Sequence, residues 1–128
     1  MAEPLSLLTV HAHPDDEASK GASTVAKYKA EGVRTTLFCY TCGEHRDLHT
    51  PPTHPPAVRE RIDEVRRDEL ALAAQIIGYD RVALLGYRDS GMPDSEANAD
   101  PRCFAKADPD EAVGRLVEVI RAERPQVI

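Results

Sequence analysis

The stretch Leu5-Ser6-Leu7-Leu8-Thr9-Val10-His11-Ala12-His13-Pro14-Asp15-Asp16-Glu17 decides the reading of this chain. Leu5 to Val10 is a short, nearly continuous apolar run, long enough for a buried strand and too short for a helix. It runs directly into proline and three acids, the residues that open a helix: proline suits the first helical position, and carboxylates complement the partial positive charge there. Helical spacing of Ala18, Ala22, Val25, Ala26 and Tyr28 predicts a helix over 16–31 that stops at Gly32. Val33 to Tyr40, rich in β-branched and aromatic residues, reads as a second strand.

The alternation continues outward. Val58 to Ile77 is an amphipathic helix with Val58, Ile62, Val65, Leu70, Leu72, Ala73, Ile76 and Ile77 on its apolar side, and Gly78 stops it. Arg81 to Leu85 is a third strand. Asp108 caps a further helix with Pro109 at its first position, and Ala112, Val113, Leu116, Val117 and Ile120 form its apolar face to about Glu123. Val127-Ile128 open a fourth strand. The order β-α-β-α-β-α-β predicts an α/β, Rossmann-like, three-layer αβα fold with a mostly parallel sheet. Sites in such sheets form where strands end and helices begin, which directs attention to loops 11–17, 41–57 and 86–108.

Composition narrows the function classes. The 128 residues are of one-domain size, and 41% hydrophobic with 30% charged residues describes a globular chain. Aromatics are 5% with no tryptophan and the formal net charge is −6, so neither base stacking nor attraction to nucleic acid or an anionic membrane is expected. No apolar run reaches the ~20 residues that span a bilayer, and Met1-Ala2-Glu3-Pro4 lacks a signal-peptide pattern. Three cysteines fit reduced thiols in a cytoplasmic protein.

His13 and Asp16 lie three residues apart across a strand-to-helix turn, a spacing that brings both to one side. One nitrogen and one oxygen ligand suit Zn²⁺ or a similar divalent ion. Asp15 between them points elsewhere and is placed to act as a general base on a bound water. The same three acids can also simply complement a helix N-terminus. Cys39-Tyr40-Thr41-Cys42 has redox spacing but straddles a strand end instead of opening a helix, so buried thiols are expected there. Cys103 has no partner in sequence. His11 is expected to pack near the site, and His45, His49 and His54 lie in a long loop.

Ala12-His13-Pro14-Asp15-Asp16-Glu17 after an apolar strand resembles the signature of the LmbE/PIG-L family of zinc-dependent N-deacetylases and amidases. Gly43-Glu44, Arg66-Arg67-Asp68-Glu69-Leu70, Arg88-Asp89-Ser90-Gly91-Met92 and Arg124-Pro125-Gln126-Val127-Ile128 resemble its later motifs in the same order. The resemblance implies zinc-assisted hydrolysis of an amide on an amino sugar, with His13 and Asp16 as zinc ligands and Asp15 as the base. It implies substrate contacts from Lys20, Glu44, Arg66 and Asp89. Ser19-Lys20-Gly21-Ala22 resembles the branch that cleaves mycothiol S-conjugates; the N-acetylglucosaminyl-inositol deacetylase branch is the alternative. His45-Arg46-Asp47-Leu48 departs from the usual glycine-rich continuation.

The family's third ligand and its oxyanion-stabilising histidine come from a His-Pro-Asp-His motif beyond the strand that starts at Pro125. Residues 1–128 are therefore expected to be the N-terminal portion of a single LmbE/PIG-L-like domain, or else a truncated relative with a broken site. The open sheet edge invites pairing into a homo-oligomer. Two other classes stand against the enzyme reading. A non-catalytic Rossmann-like module for a small molecule lacks a glycine-rich phosphate loop. A Mg²⁺-binding signalling domain fits His13 poorly, since Mg²⁺ prefers oxygen.

Overall fold

Leu37 and Phe38 are neighbours in sequence and both fully buried, because they project to opposite faces of one strand and each face carries helices. The computed structural model describes residues 3–43 and 60–128. Three strands, β1 (Ser6–His11), β2 (Arg34–Thr41) and β3 (Arg81–Tyr87), form a parallel sheet in the order β1-β2-β3. Ser6 pairs with Arg34 through to His11 with Cys39, and β2 pairs with β3 from Thr36–Arg81 onward. On the free side of β1, Val127 bridges Leu7 in parallel; Leu8 N–H donates to the Val127 carbonyl at 3.0 Å and Gln126 N–H to that of Ser6 at 2.9 Å. Chain segments therefore depart to both sides of β1. That makes the carboxyl end of β1 the switch point at which open α/β sheets bind ligands.

The helices are α1 (Asp16–Ser19), α2 (Ala22–Ala30), α3 (Ile62–Ile77) and α4 (Pro109–Glu123). Val119 of α4 packs on Leu8 and Phe38, with Val10, Tyr40, Leu85, Leu116 and Ile120 around them. On the other face, Leu70 and Ala74 of α3 pack on Leu37 beside Tyr79 and Leu84. The expected three-layer αβα architecture is the one observed. No described helix is long and apolar enough to cross a membrane.

Several local expectations are corrected. The helix expected over 16–31 is two helices, because Lys20 is extended and Gly21 sits at φ 86, a left-handed value glycine adopts readily. The third strand runs past Leu85 to Tyr87, passing through Gly86 at φ 75, after the register shifts between Cys39 and Thr41. Loop 86–108 holds two short 3-10 turns, Glu96–Ala99 and Phe104–Lys106, and an Arg88–Cys103 bridge. Where a fourth strand is expected to open, Val127 bridges Leu7 in parallel.

The apolar stripes also shift. Leu72 and Ile76 of α3 are 58% and 76% exposed, and Val113 of α4 is 57% exposed, while Val119 takes the core position. Each helix lays down one stripe about 100° wide, so apolar residues off that stripe stay in solvent. The expected cap is present: the Asp108 carboxylate accepts the Asp110 N–H at 2.9 Å. Val58 and the loop from 44 onward lie outside the described residues. Cys39 and Cys42 are free and buried, as expected, Cys103 is free and also buried, and burial pushes the Cys39 thiol up to about 12.

Phe38 sits between β1 and α4 and Asp108 only caps α4, so their truncations separate in size. Phe38→Ala is expected to lower unfolding free energy by about 3–5 kcal/mol and Asp108→Ala by ~1 kcal/mol, read by chemical denaturation. Equal losses would show that the α4 layer is not seated on Phe38.

Candidate functional site

β1 delivers the first loop to the carboxyl edge of the sheet. The Ala12 carbonyl accepts the Thr41 N–H at 3.0 Å and the Thr41 hydroxyl at 2.9 Å, which ties the ends of β1 and β2 together. Gly43 lies against this turn; at φ 71 with Pro14 Cδ 3.2 Å from where its Cβ would stand, a larger residue would press on the loop.

Four side chains, Asp89, His13, Asp16 and Lys20, then line up in a row at this edge. Asp89, only 2% exposed and arriving from the end of β3, meets His13 Nε2 through Oδ1 at 2.9 Å. A carboxylate can only accept, so Nε2 carries a proton, and in the neutral ring the lone pair then lies on Nδ1. Nδ1 stands 3.8 Å from Asp16 Oδ2, too far for a hydrogen bond. Asp16 Oδ2 also accepts the His13 backbone N–H at 3.1 Å, and Oδ1 takes Lys20 Nζ at 2.6 Å. Burial opposes charge on Asp16, but Lys20 and the His13 N–H outweigh it and hold the carboxyl below its ordinary range.

This geometry suits a divalent ion at the two facing donors. Two ligands about 2.1 Å from a tetrahedral ion stand roughly 3.4 Å apart, close to the observed separation. A histidine whose other nitrogen donates to a carboxylate is the usual form of a metal-ligating imidazole. Among the described residues, no group of three His, Cys, Asp or Glu side chains is arranged to hold a metal, and His13 and Asp16 offer two donors.

Asp15 points the other way, as expected. Its Oδ2 faces Arg66 Nη1 of α3 at 3.8 Å, and Arg66 also reaches the Pro14 carbonyl at 3.5 Å. A recess of about 160 Å³ lies between the loop and α3 beside Asp15, Glu17, Arg66 and Glu69. The structure thus gathers His13, Asp15, Asp16, Lys20, Arg66 and Asp89 around one turn. Glu44, His45, His49 and His54 lie outside the described residues. The direct bond from Asp89 to His13 joins residues 76 apart, and no spacing rule could have shown it. Glu17, read in the sequence as a helix-end charge, is instead buried and accepts the Asp15 N–H at 2.8 Å.

His11 lies beneath the loop with Nε2 buried and without a hydrogen-bond partner. Burial lowers its pKa from the ordinary 6.5 against the pull of Asp16 and Glu17. A depressed folded-state pKa contributes stability that is present above the unfolded value and lost as pH falls through the folded one. Thermal stability should therefore begin to fall below pH 6.5 from His11, and again below 3.8 from Asp16. His11→Gln should flatten the first of these declines; an unchanged profile between pH 7 and 5 would show that His11 does not set it.

The PIG-L family model, described as GlcNAc-PI de-N-acetylase, matches residues 8–128. A mycothiol S-conjugate amidase of Streptomyces coelicolor is 45% identical, over 100% of this chain and 44% of its own length. A 1D-myo-inositol 2-acetamido-2-deoxy-alpha-D-glucopyranoside deacetylase of Streptomyces scabiei is 46% identical, over 98% of this chain and 42% of its own. Among solved structures, the N,N'-diacetylchitobiose deacetylase of Pyrococcus horikoshii superposes with a TM-score of 0.69 at 25% identity, over 95% of this chain and 39% of that one. The chain spans less than half the length of the curated relatives it matches. With an ordered set of motifs, a β1 switch-point site and a family match over 8–128, the chain belongs to the PIG-L family.

Proposed function

We propose that this site serves metal-assisted hydrolysis of an amide on an amino-sugar substrate, of the kind carried out by a mycothiol S-conjugate amidase. The observation that carries the reading is the pairing of His13 Nδ1 with Asp16 Oδ2 at 3.8 Å while Asp89 holds the far side of the imidazole. His13 and Asp16 would hold Zn²⁺, with further ligands from outside the described residues. Bound there, zinc would polarise the amide carbonyl and lower the pKa of a bound water toward about 7.

The chain's own groups supply the rest. Asp15 takes the proton of the attacking water and returns it to the departing amine. Arg66, across from it, orients that carboxylate. Asp89 keeps the proton of His13 on Nε2, and Lys20 turns Asp16 so that Oδ2 faces His13. Arg66 and Lys20, with Glu44, are the residues we assign to substrate hydroxyls or the acyl group. Asp89, being engaged by His13, orients that ring in addition to any contact with substrate.

The deacetylase reading uses the same machinery on an N-acetyl group, and relatives with that name match about as well. The lysine after the motif, Lys20, is the feature that favours the amidase branch. A non-catalytic small-molecule module is not favoured, since it would leave the convergence of His13, Asp15 and Asp16 unused.

In the full-length protein, chelation should abolish amide cleavage and added zinc restore it. Asp15→Asn should retain metal and lose at least ~100-fold in kcat. His13→Ala should lose metal, and Asp89→Asn should weaken metal binding by about 10–100-fold without touching the ion. Wild-type turnover in Asp15→Asn would remove it as the base, and a normal metal content in His13→Ala would remove that ligand. Offering a mycothiol S-conjugate and N-acetylglucosaminyl-inositol side by side, with the new amine quantified, decides between the two branches.

A further inference from the structure

Glu17 is the acid of the first loop to which the proposed chemistry gives no task, and at 2% exposure it is among the most buried side chains of the chain. Its surroundings show what it does. Asp15 is the N-cap of α1, yet its side chain makes no cap hydrogen bond and its backbone lies at φ 108, ψ −23. An aspartate at an N-cap ordinarily turns its carboxylate inward onto the first N–H groups of the helix. Left-handed backbone at a non-glycine residue is strained and persists only where its surroundings hold it.

Here both backbone groups of Asp15 are held. Its N–H donates to Glu17 Oε2 at 2.8 Å, and its carbonyl accepts the Ala18 and Ser19 N–H groups, each at 3.0 Å. The buried Glu17 carboxylate reaches back to the cap residue from within the helix, much as the acid of a capping box does. The Asp15 carboxylate is thereby left out of the cap and faces Arg66 at 3.8 Å.

We propose that Glu17 is a positioning residue: it clamps the left-handed turn at Asp15 and so presents the Asp15 carboxylate to the reacting water. This rests on the reading of Asp15 as the base, and it adds the group that aims it. In this role Glu17 acts through the Asp15 backbone. A misaimed base loses rate and leaves binding intact, so the effect belongs in kcat.

The test compares wild type, Glu17→Gln and Glu17→Ala in the full-length protein, by amide hydrogen exchange at Asp15 and by steady-state cleavage of a mycothiol S-conjugate. Glutamine keeps an oxygen that can accept the Asp15 N–H, and alanine does not. The expected result is a protected Asp15 amide and near-wild-type kcat in Glu17→Gln. In Glu17→Ala, protection should fall at least ~10-fold and kcat by about 10–100-fold, with KM and metal content unchanged. A folded Glu17→Ala with wild-type kcat overturns the proposal. So do equal kcat losses in both variants with Asp15 exchange unmoved. If Glu17→Ala does not fold, an unprotected Asp15 amide in wild type, or a protected but inactive Glu17→Gln, overturns it. Wild-type protein that cleaves no amide would sink the functional reading instead, and the exchange comparison would still decide the clamp.

Discussion

The backbone of this protein must turn from a buried strand into a helix between His11 and Asp16, and it does so through a single left-handed residue, Asp15. That constraint organises the site. Because the turn is held through backbone groups, with Glu17 beneath it, the side chains of Asp15 and of Asp16 on either side of the helix start point in different directions. Asp16 joins His13 and Lys20 on one side, and Asp15 faces Arg66 on the other. A relaxed cap would have used the Asp15 carboxylate on the helix N-terminus and left none facing α3.

Charge ordering follows from the same turn. Asp89, His13, Asp16 and Lys20 alternate acceptor and donor, so each buried carboxylate has a partner. The arrangement is asymmetric in a useful way: Asp89 and Lys20 hold the outer atoms, and the two inner atoms, His13 Nδ1 and Asp16 Oδ2, face each other unbonded. The cation site proposed above needs such a gap, and donors already oriented by their neighbours suit it.

The sheet supplies the platform. Val127 on one side of β1 and β2 on the other place the loop at the carboxyl edge of the sheet, between segments that diverge to either side. Narrow stripes seat the helices: Leu70 and Ala74 seat α3, the helix that carries Arg66 to the turn, and Val119 seats α4 on the opposite face.

Much of this was legible in the sequence. The period-2 and helical patterns, the Pro14-Asp15-Asp16-Glu17 helix start and the Asp108-Pro109 cap are local features, and local propensity settles them. The spacing of His13 and Asp16, and the opposite direction of Asp15, follow from the geometry of one turn. The break at Lys20-Gly21, the extension of β3 through Gly86 and the choice of Val119 over Val113 depend on which neighbours the element meets, and propensity says nothing of them. By itself, then, the sequence determined the αβα order and the donors of the first loop, because these rest on contacts within a few residues. Only the tertiary structure decided that Asp89 grips His13, that Arg66 faces Asp15 and that Glu17 is buried under the turn. Those depend on strands and helices far apart in the chain meeting at one edge of the sheet, where burial makes each polar group find a partner.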